Sequence, residues 1–125
     1  MFSHIMVGTN DVNRSKTFYD ATLGALGVAP APIDGNRLFY RTEGGALGVT
    51  QPINGQPATA ANGGTIGFSC SSSEQADAWH AAGVANGGSS QVVPPGLRDF
   101  GAMKLYLAYL RDPDGNKLCA VHYMG

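Results

Sequence analysis

Residues 105–123 read LYLAYLRDPDGNKLCAVHY, two apolar segments on either side of Asp112-Pro113-Asp114-Gly115-Asn116. Pro113 presets φ for a turn, and the Asp112 and Asp114 side chains can bond nearby backbone. Gly115 or Asn116 can take the positive φ that reverses the chain. The flanks are rich in Tyr, Leu and Val, which suit a pleated, half-buried surface. The stretch predicts a β-hairpin of two long strands that closes the domain. If Arg111 and Lys117 leave the turn opposite each other, Tyr109 pairs with Cys119 and Leu107 with Val121. Those four then share one face, while Leu118 and Ala120 point to the other. A one-residue slip would reverse that assignment.

The rest of the chain is long enough for one domain with a sizeable core. It has 125 residues, and eight basic against nine acidic ones leave a net charge of −1. Neither sign clusters, which argues against nucleic acid or an anionic membrane surface as partner. The apolar runs are far too short to span a bilayer. The opening MFSHIMVGTND lacks the charged start and small-residue cleavage site of a signal peptide, so a cytoplasmic location is expected. Two cysteines make no disulfide framework, and reduced thiols are the expectation there.

Taken in order, residues 2–8 predict a strand with His4 and Met6 on one face and Ile5 and Val7 on the other. Asn10 or Asp11 caps a helix over residues 12–23, with Val12, Ser15, Tyr19 and Leu23 at core-facing spacing and Phe18 beside them. Residues 28–33, with two prolines, predict an edge strand. Strands at 37–42 and 46–51 follow, joined by a turn at Gly44-Gly45. Residues 53–64 are a linker by composition. A strand at 65–70 comes next, then a helix opened by Ser72 with Gln75 three residues on, carrying Ala76, Trp79 and Ala82. A short strand at 91–93 and a loop at 94–101 lead into the closing hairpin. His4 to Thr65, Asp11 to Ser72 and Phe18 to Trp79 are each 61 places apart. Strand, cap and helix aromatic therefore keep one offset. The economical reading is an α+β chain of two tandem βαβββ modules, residues 1–52 and 65–125.

With these residues in place the chain resembles the vicinal oxygen chelate superfamily, the glyoxalase, bleomycin-resistance and ring-cleaving dioxygenase group. The resemblance rests on the opening strand with His4, on Arg14-Ser15, Phe18-Tyr19 and Leu23-Gly24 in the first helix, on the duplicated plan, and on the strand after Asp112-Pro113-Asp114-Gly115-Asn116. It implies a cup-like half-barrel of two sheets, often assembled across a homodimer. In metal-dependent relatives a His, Glu or Gln on the first and fourth strands of each module holds a divalent ion, which acts as a Lewis acid. Carried onto this chain, His4 matches the first position. The others fall at Gly48, Thr65 and Cys119, of which only Cys119 has a side chain that zinc commonly accepts. His4 and Cys119 are thus the two metal candidates, and a site without metal is the expectation.

Two functions stay open. One is a metal-free protein that binds a small organic molecule, with a degenerate metal site. The other is a metal-dependent, glyoxalase-like lyase or isomerase acting on a small dicarbonyl or related substrate. In the first, His4 orients the ligand by hydrogen bonding, and Met6, Tyr109 and Cys119 line the cup beside it. Tyr40 joins them if the 37–51 hairpin pairs as the closing one does. Arg98, in the 94–101 loop, is placed to close over an anionic ligand as part of a lid.

Overall fold

The computed structural model describes residues 1–91 and 93–124. The two helices begin alike. Asp11 is extended and its side chain accepts from the Arg14 amide, opening α1 (Val12–Ala25). Ser72 does the same for the Gln75 amide at the start of α2 (Ser73–Ala85). The Gln75 side chain reaches back to the Ser71 amide, one residue earlier than a capping box requires. Phe18 and Trp79, the paired aromatics, are both fully buried. The helices pack on each other at Gly83, where a Cβ would lie 2.3 Å from Leu110 Cδ1 and 3.2 Å from both Phe18 and Thr22.

Among the described residues the strands form two sheets and no closed barrel. In the first, β1 (His4–Gly8) runs parallel to β3 (Gly45–Thr50), which pairs antiparallel with β2 (Arg37–Thr42). In the second, β4 (Ile66–Ser69) runs parallel to β8 (Lys117–Tyr123), and β8 pairs antiparallel with β7 (Lys104–Arg111). Two short strands, β5 (Ser89–Ser90) and β6 (Gly96–Asp99), pair successive stretches of β7. Tyr109 opposes Cys119 and Leu107 opposes Val121, the register expected of the closing hairpin. Leu38, Val49, Leu110, Leu118 and Ala120 are buried on the sheet faces that carry the helices. His4, Met6, Tyr109 and Cys119 alternate onto the opposite faces, the ones expected to line the cup.

The 112–116 turn joins the halves. Asp112 Oδ1 accepts from the Asp114 and Asn116 amides, both at 2.9 Å, and Oδ2 accepts from Asn116 Nδ2 at 2.8 Å and the Tyr19 hydroxyl at 2.5 Å. Asp114 accepts from the Asn10 amide, the Arg14 guanidinium and the Ser15 hydroxyl, and Asn116 donates to the Gly8 carbonyl. Gly115 supplies the positive φ, 91°. One turn of the second sheet thus grips the start of α1 and the end of β1.

Three local expectations are corrected. Residues 28–33 form no strand. Instead the Ala31 amide donates to Asp20, and its carbonyl accepts from Lys16, so the proline-containing segment is tied to α1 rather than to a sheet edge. Residues 94–101 are not a loop throughout, because β6 lies within them and pairs with β7. The short strand expected at 91–93 is observed at Ser89–Ser90, and Val92 lies outside the described residues. Among the described residues no helix is long and apolar enough to cross a membrane.

Candidate ligand cleft and cup face

On the first sheet, Met6 pairs with Gly48, and Gly48 with Phe39. A Cβ on Gly48 would lie 2.1 Å from Met6 Sδ and 2.9 Å from Phe39 Cε1. Those two side chains therefore occupy the space in which a residue at Gly48 would extend. Phe39 carries the Arg41 guanidinium over its ring, 4.8 Å from the centroid. His4 is exposed, and its Nδ1 shares a 2.7 Å hydrogen bond with the Ser3 hydroxyl.

Tyr40 is a correction. It opposes Leu47, is 3% exposed, packs near Tyr19 and donates its hydroxyl to Asp20 at 2.7 Å. It faces the helix, not the cup. The two-residue turn pairs Thr42 with Gly45, and counting back from that pair puts Phe39 opposite Gly48. The cup-facing aromatic is Phe39, and the turn length was its signal in the sequence. Burial pushes the Tyr40 hydroxyl well above the usual tyrosine range, with the bond to Asp20 adding to the shift. Burial alone would raise the Asp20 carboxyl, but bonds from Lys16, Tyr40 and the Ala31 amide hold it below its usual value.

On the second sheet, Tyr109 and Cys119 stand opposite each other, with the Lys117 ammonium 5.2 Å from the Tyr109 ring centroid. Cys119 is 5% exposed. Burial pushes its thiol up, against opposing pulls from the Tyr109 hydroxyl and the Lys117 charge. Burial of this kind works against thiolate formation. Cys70 is also a free thiol, packed toward the core, with its carbonyl bonded to His122. Arg98 lies on β6 opposite Leu105, and its guanidinium donates to the Pro94 and Leu97 carbonyls. Its place is a sheet edge, not a lid.

The candidates therefore gather in two groups, one per sheet, and a cleft separates the sheets. No Cα of β1 comes within 8 Å of one in β4. The gap holds about 410 Å³, between residues 2–5 and 66–69, with Leu23, Leu26 and Leu47 on the inner side. His4 and Ser3 supply polar groups to its wall, and Tyr40 reaches it from the helix side. Tyr109 and Cys119 do not line it.

The model of the Glyoxalase/Bleomycin resistance protein/Dioxygenase superfamily matches residues 1–120. The chain belongs to this superfamily. It is similar to a glyoxalase/bleomycin resistance protein of Albidiferax ferrireducens, with 61% identity, 98% of each chain covered and a TM-score of 0.95. Lower similarity extends to a glyoxalase-related enzyme of Fulvimarina pelagi, at 21% identity, 98% and 87% coverage and a TM-score of 0.78. A lactoylglutathione lyase of Agrobacterium tumefaciens shares 19% identity over 98% and 92% of the chains, with a TM-score of 0.66. These last two likenesses speak for the fold alone. No curated protein matches.

Superfamily membership raises the question of a divalent ion. The residues at the places the superfamily pattern points to are His4, Gly48, Thr65 and Cys119, and Gly48 has no side chain to coordinate. Met6 and Phe39 fill the space at Gly48, and the Cys119 thiol is buried, which works against the thiolate a metal needs. Among the described residues, no three His, Cys, Asp or Glu side chains come together as a ligand set. The residues present do not fit the usual ion.

Proposed function

We propose that this superfamily member binds a small organic molecule without a metal, in the cleft between β1 and β4. The cleft of about 410 Å³ carries the reading. Its wall is mostly apolar, and a few polar groups at one rim, His4 and Ser3, can orient a ligand. The residue set His4, Gly48, Thr65 and Cys119 supports binding over metal-assisted turnover. The same reading takes the protein as a cytoplasmic homodimer. Two free thiols suit a reducing compartment, and β6 is an edge strand beside the exposed side chains of Leu97 and Phe100. Light scattering at twice the chain mass and fractionation with cytosolic markers check those two points.

A metabolite library screened by thermal shift tests the binding. Gly67 lines the cleft, and a Cβ there meets only Val121 Cγ2, at 3.8 Å, so Gly67→Leu has room to fold while adding bulk at the cleft wall. Hits should weaken about tenfold or more in Gly67→Leu and in His4→Ala, and stay unchanged in Tyr109→Ala. Hits that bind folded Gly67→Leu as tightly as the parent place the ligand elsewhere. A hit consumed in the presence of added Zn, Ni or Mn, with loss of turnover in His4→Ala, replaces binding by the lyase reading.

A further inference from the structure

We propose a second site, distinct from that cleft, for an oxyanion: the carboxylate or phosphate group of a small molecule, held between Arg111, Lys117 and residues 60–64. The two cations leave the closing turn opposite each other and point to the cup side, the side of Tyr109 and Cys119. Residues 60–64 pass in front of them and enclose about 430 Å³. That is ample for a phosphate or carboxylate with part of the body it belongs to.

Neither cation at this place contacts a carboxylate among the described residues. Both carboxyl groups of the adjoining turn face the other way, Asp112 toward Tyr19 and Asn116, and Asp114 toward Arg14, Asn10 and Ser15. Arg111 donates one N–H to the Gly115 carbonyl at 2.8 Å, which fixes its plane and leaves further donors. The Lys117 ammonium rests on the Tyr109 ring and makes no hydrogen bond among the described residues. Two half-buried cations in a chain of net charge −1 form a local positive site rather than a general basic surface.

The opposite wall is built to let a ligand approach backbone. Ala60, Ala61, Gly63 and Gly64 carry little or no side chain, and Asn62 adds an amide. The 61–64 segment is a turn, closed by the Gly64 amide on the Ala61 carbonyl, with Gly63 at φ 92°. Its approach is pinned in turn, because the Asn10 side chain bonds both the amide and the carbonyl of Ala58. The linker thus forms a wall of little steric bulk facing two cations, anchored beside it at Ala58.

Titration of ¹⁵N-labelled protein with benzoate, inorganic phosphate, benzamide and chloride tests this. Benzoate or phosphate should move the amide resonances of Ala61, Asn62, Gly63 and Gly64 saturably, with benzamide at least about tenfold weaker. Saturation by phosphate alone or by benzoate alone supports the site and names its group. Lys117→Gln should weaken the titration about tenfold, and Lys117→Arg should restore most of it. Arg111→Gln loses a bond within the turn, so Lys117 is the deciding position. The proposal falls if neither anion shifts these resonances beyond chloride, if benzamide matches benzoate, or if a folded Lys117→Gln protein binds as its parent does. Gly67→Leu should leave these shifts intact, so this site and the cleft fail or stand separately.

Discussion

The β2–β3 turn and the β7–β8 turn each join the last two strands of a sheet, and each lies beside the other half of the molecule. The β7–β8 turn fills that contact. Asp112 takes four donors, Asp114 three, and the result ties α1 and β1 to the second sheet. The β2–β3 turn is two residues with no buried carboxyl group, and its flanks, Thr42 and Gly45, stand at the wall of the open cleft. Adjacent residues of α1 repeat the contrast. Tyr19 donates to buried Asp112, whereas Asp20 accepts from Tyr40 with a quarter of its side chain exposed. A polar turn can lock two halves together or leave room between them. The difference lies in whether its side chains reach donors on the neighbouring helix.

The largest expected effect is at the locked side. Asp112→Ala strands the Tyr19 hydroxyl and two turn amides, and should cost about 3 kcal/mol or more in urea unfolding. Asp20→Ala, beside the cleft, should cost about 1 kcal/mol because water replaces its bonds. Equal losses would dissolve the comparison. Next come the tyrosines. Tyr19→Phe should cost about 1–2 kcal/mol, and Tyr40→Phe about 0.5–1 kcal/mol, since Asp20 keeps Lys16 and solvent. Burial and then the Asp112 charge hold the Tyr19 hydroxyl well above its usual value. A reversed order of the two variants would show that the lock lies elsewhere.

The smallest effect concerns acid. Asp20 is held below its unfolded value, so its contribution is present above about pH 4 and is lost as pH falls through the folded value. Asp20→Asn should therefore narrow the stability gap between neutral pH and about pH 3 by a few tenths of a kcal/mol. An unchanged acid limb in melting temperature against pH would remove Asp20 from that account.

Much of the architecture could be read directly because it rests on local chemistry. Asp11 and Ser72 cap helices because their side chains reach amides two or three residues on. The register of the closing hairpin followed from turn residues and alternation, and the 61-place offset exposed the duplication. Tyr40 shows where transfer between halves breaks down. The β2–β3 turn has two residues and the β7–β8 turn five, so pairing carried from one to the other flipped a strand face and hid Phe39. Residues 28–33 differ for another reason: they are tied to Asp20 and Lys16 on α1, a pairing that strand alternation does not encode. Arg98 sits on β6, paired with the strand that follows it, where Pro94, Pro95 and Gly96 had read as loop.

What this sequence determined by itself is each element whose hydrogen bonds close within a few residues, together with the α+β plan their repetition implies. Tertiary structure alone decided that Asp112 and Asp114 turn toward α1 and leave Arg111 and Lys117 facing residues 60–64. It also decided that Met6 and Phe39 fill the space at Gly48, and that a cleft opens between β1 and β4. The physical reason is range. A cap or a turn is settled by nearby atoms, whereas a cleft depends on where distant surfaces stop touching.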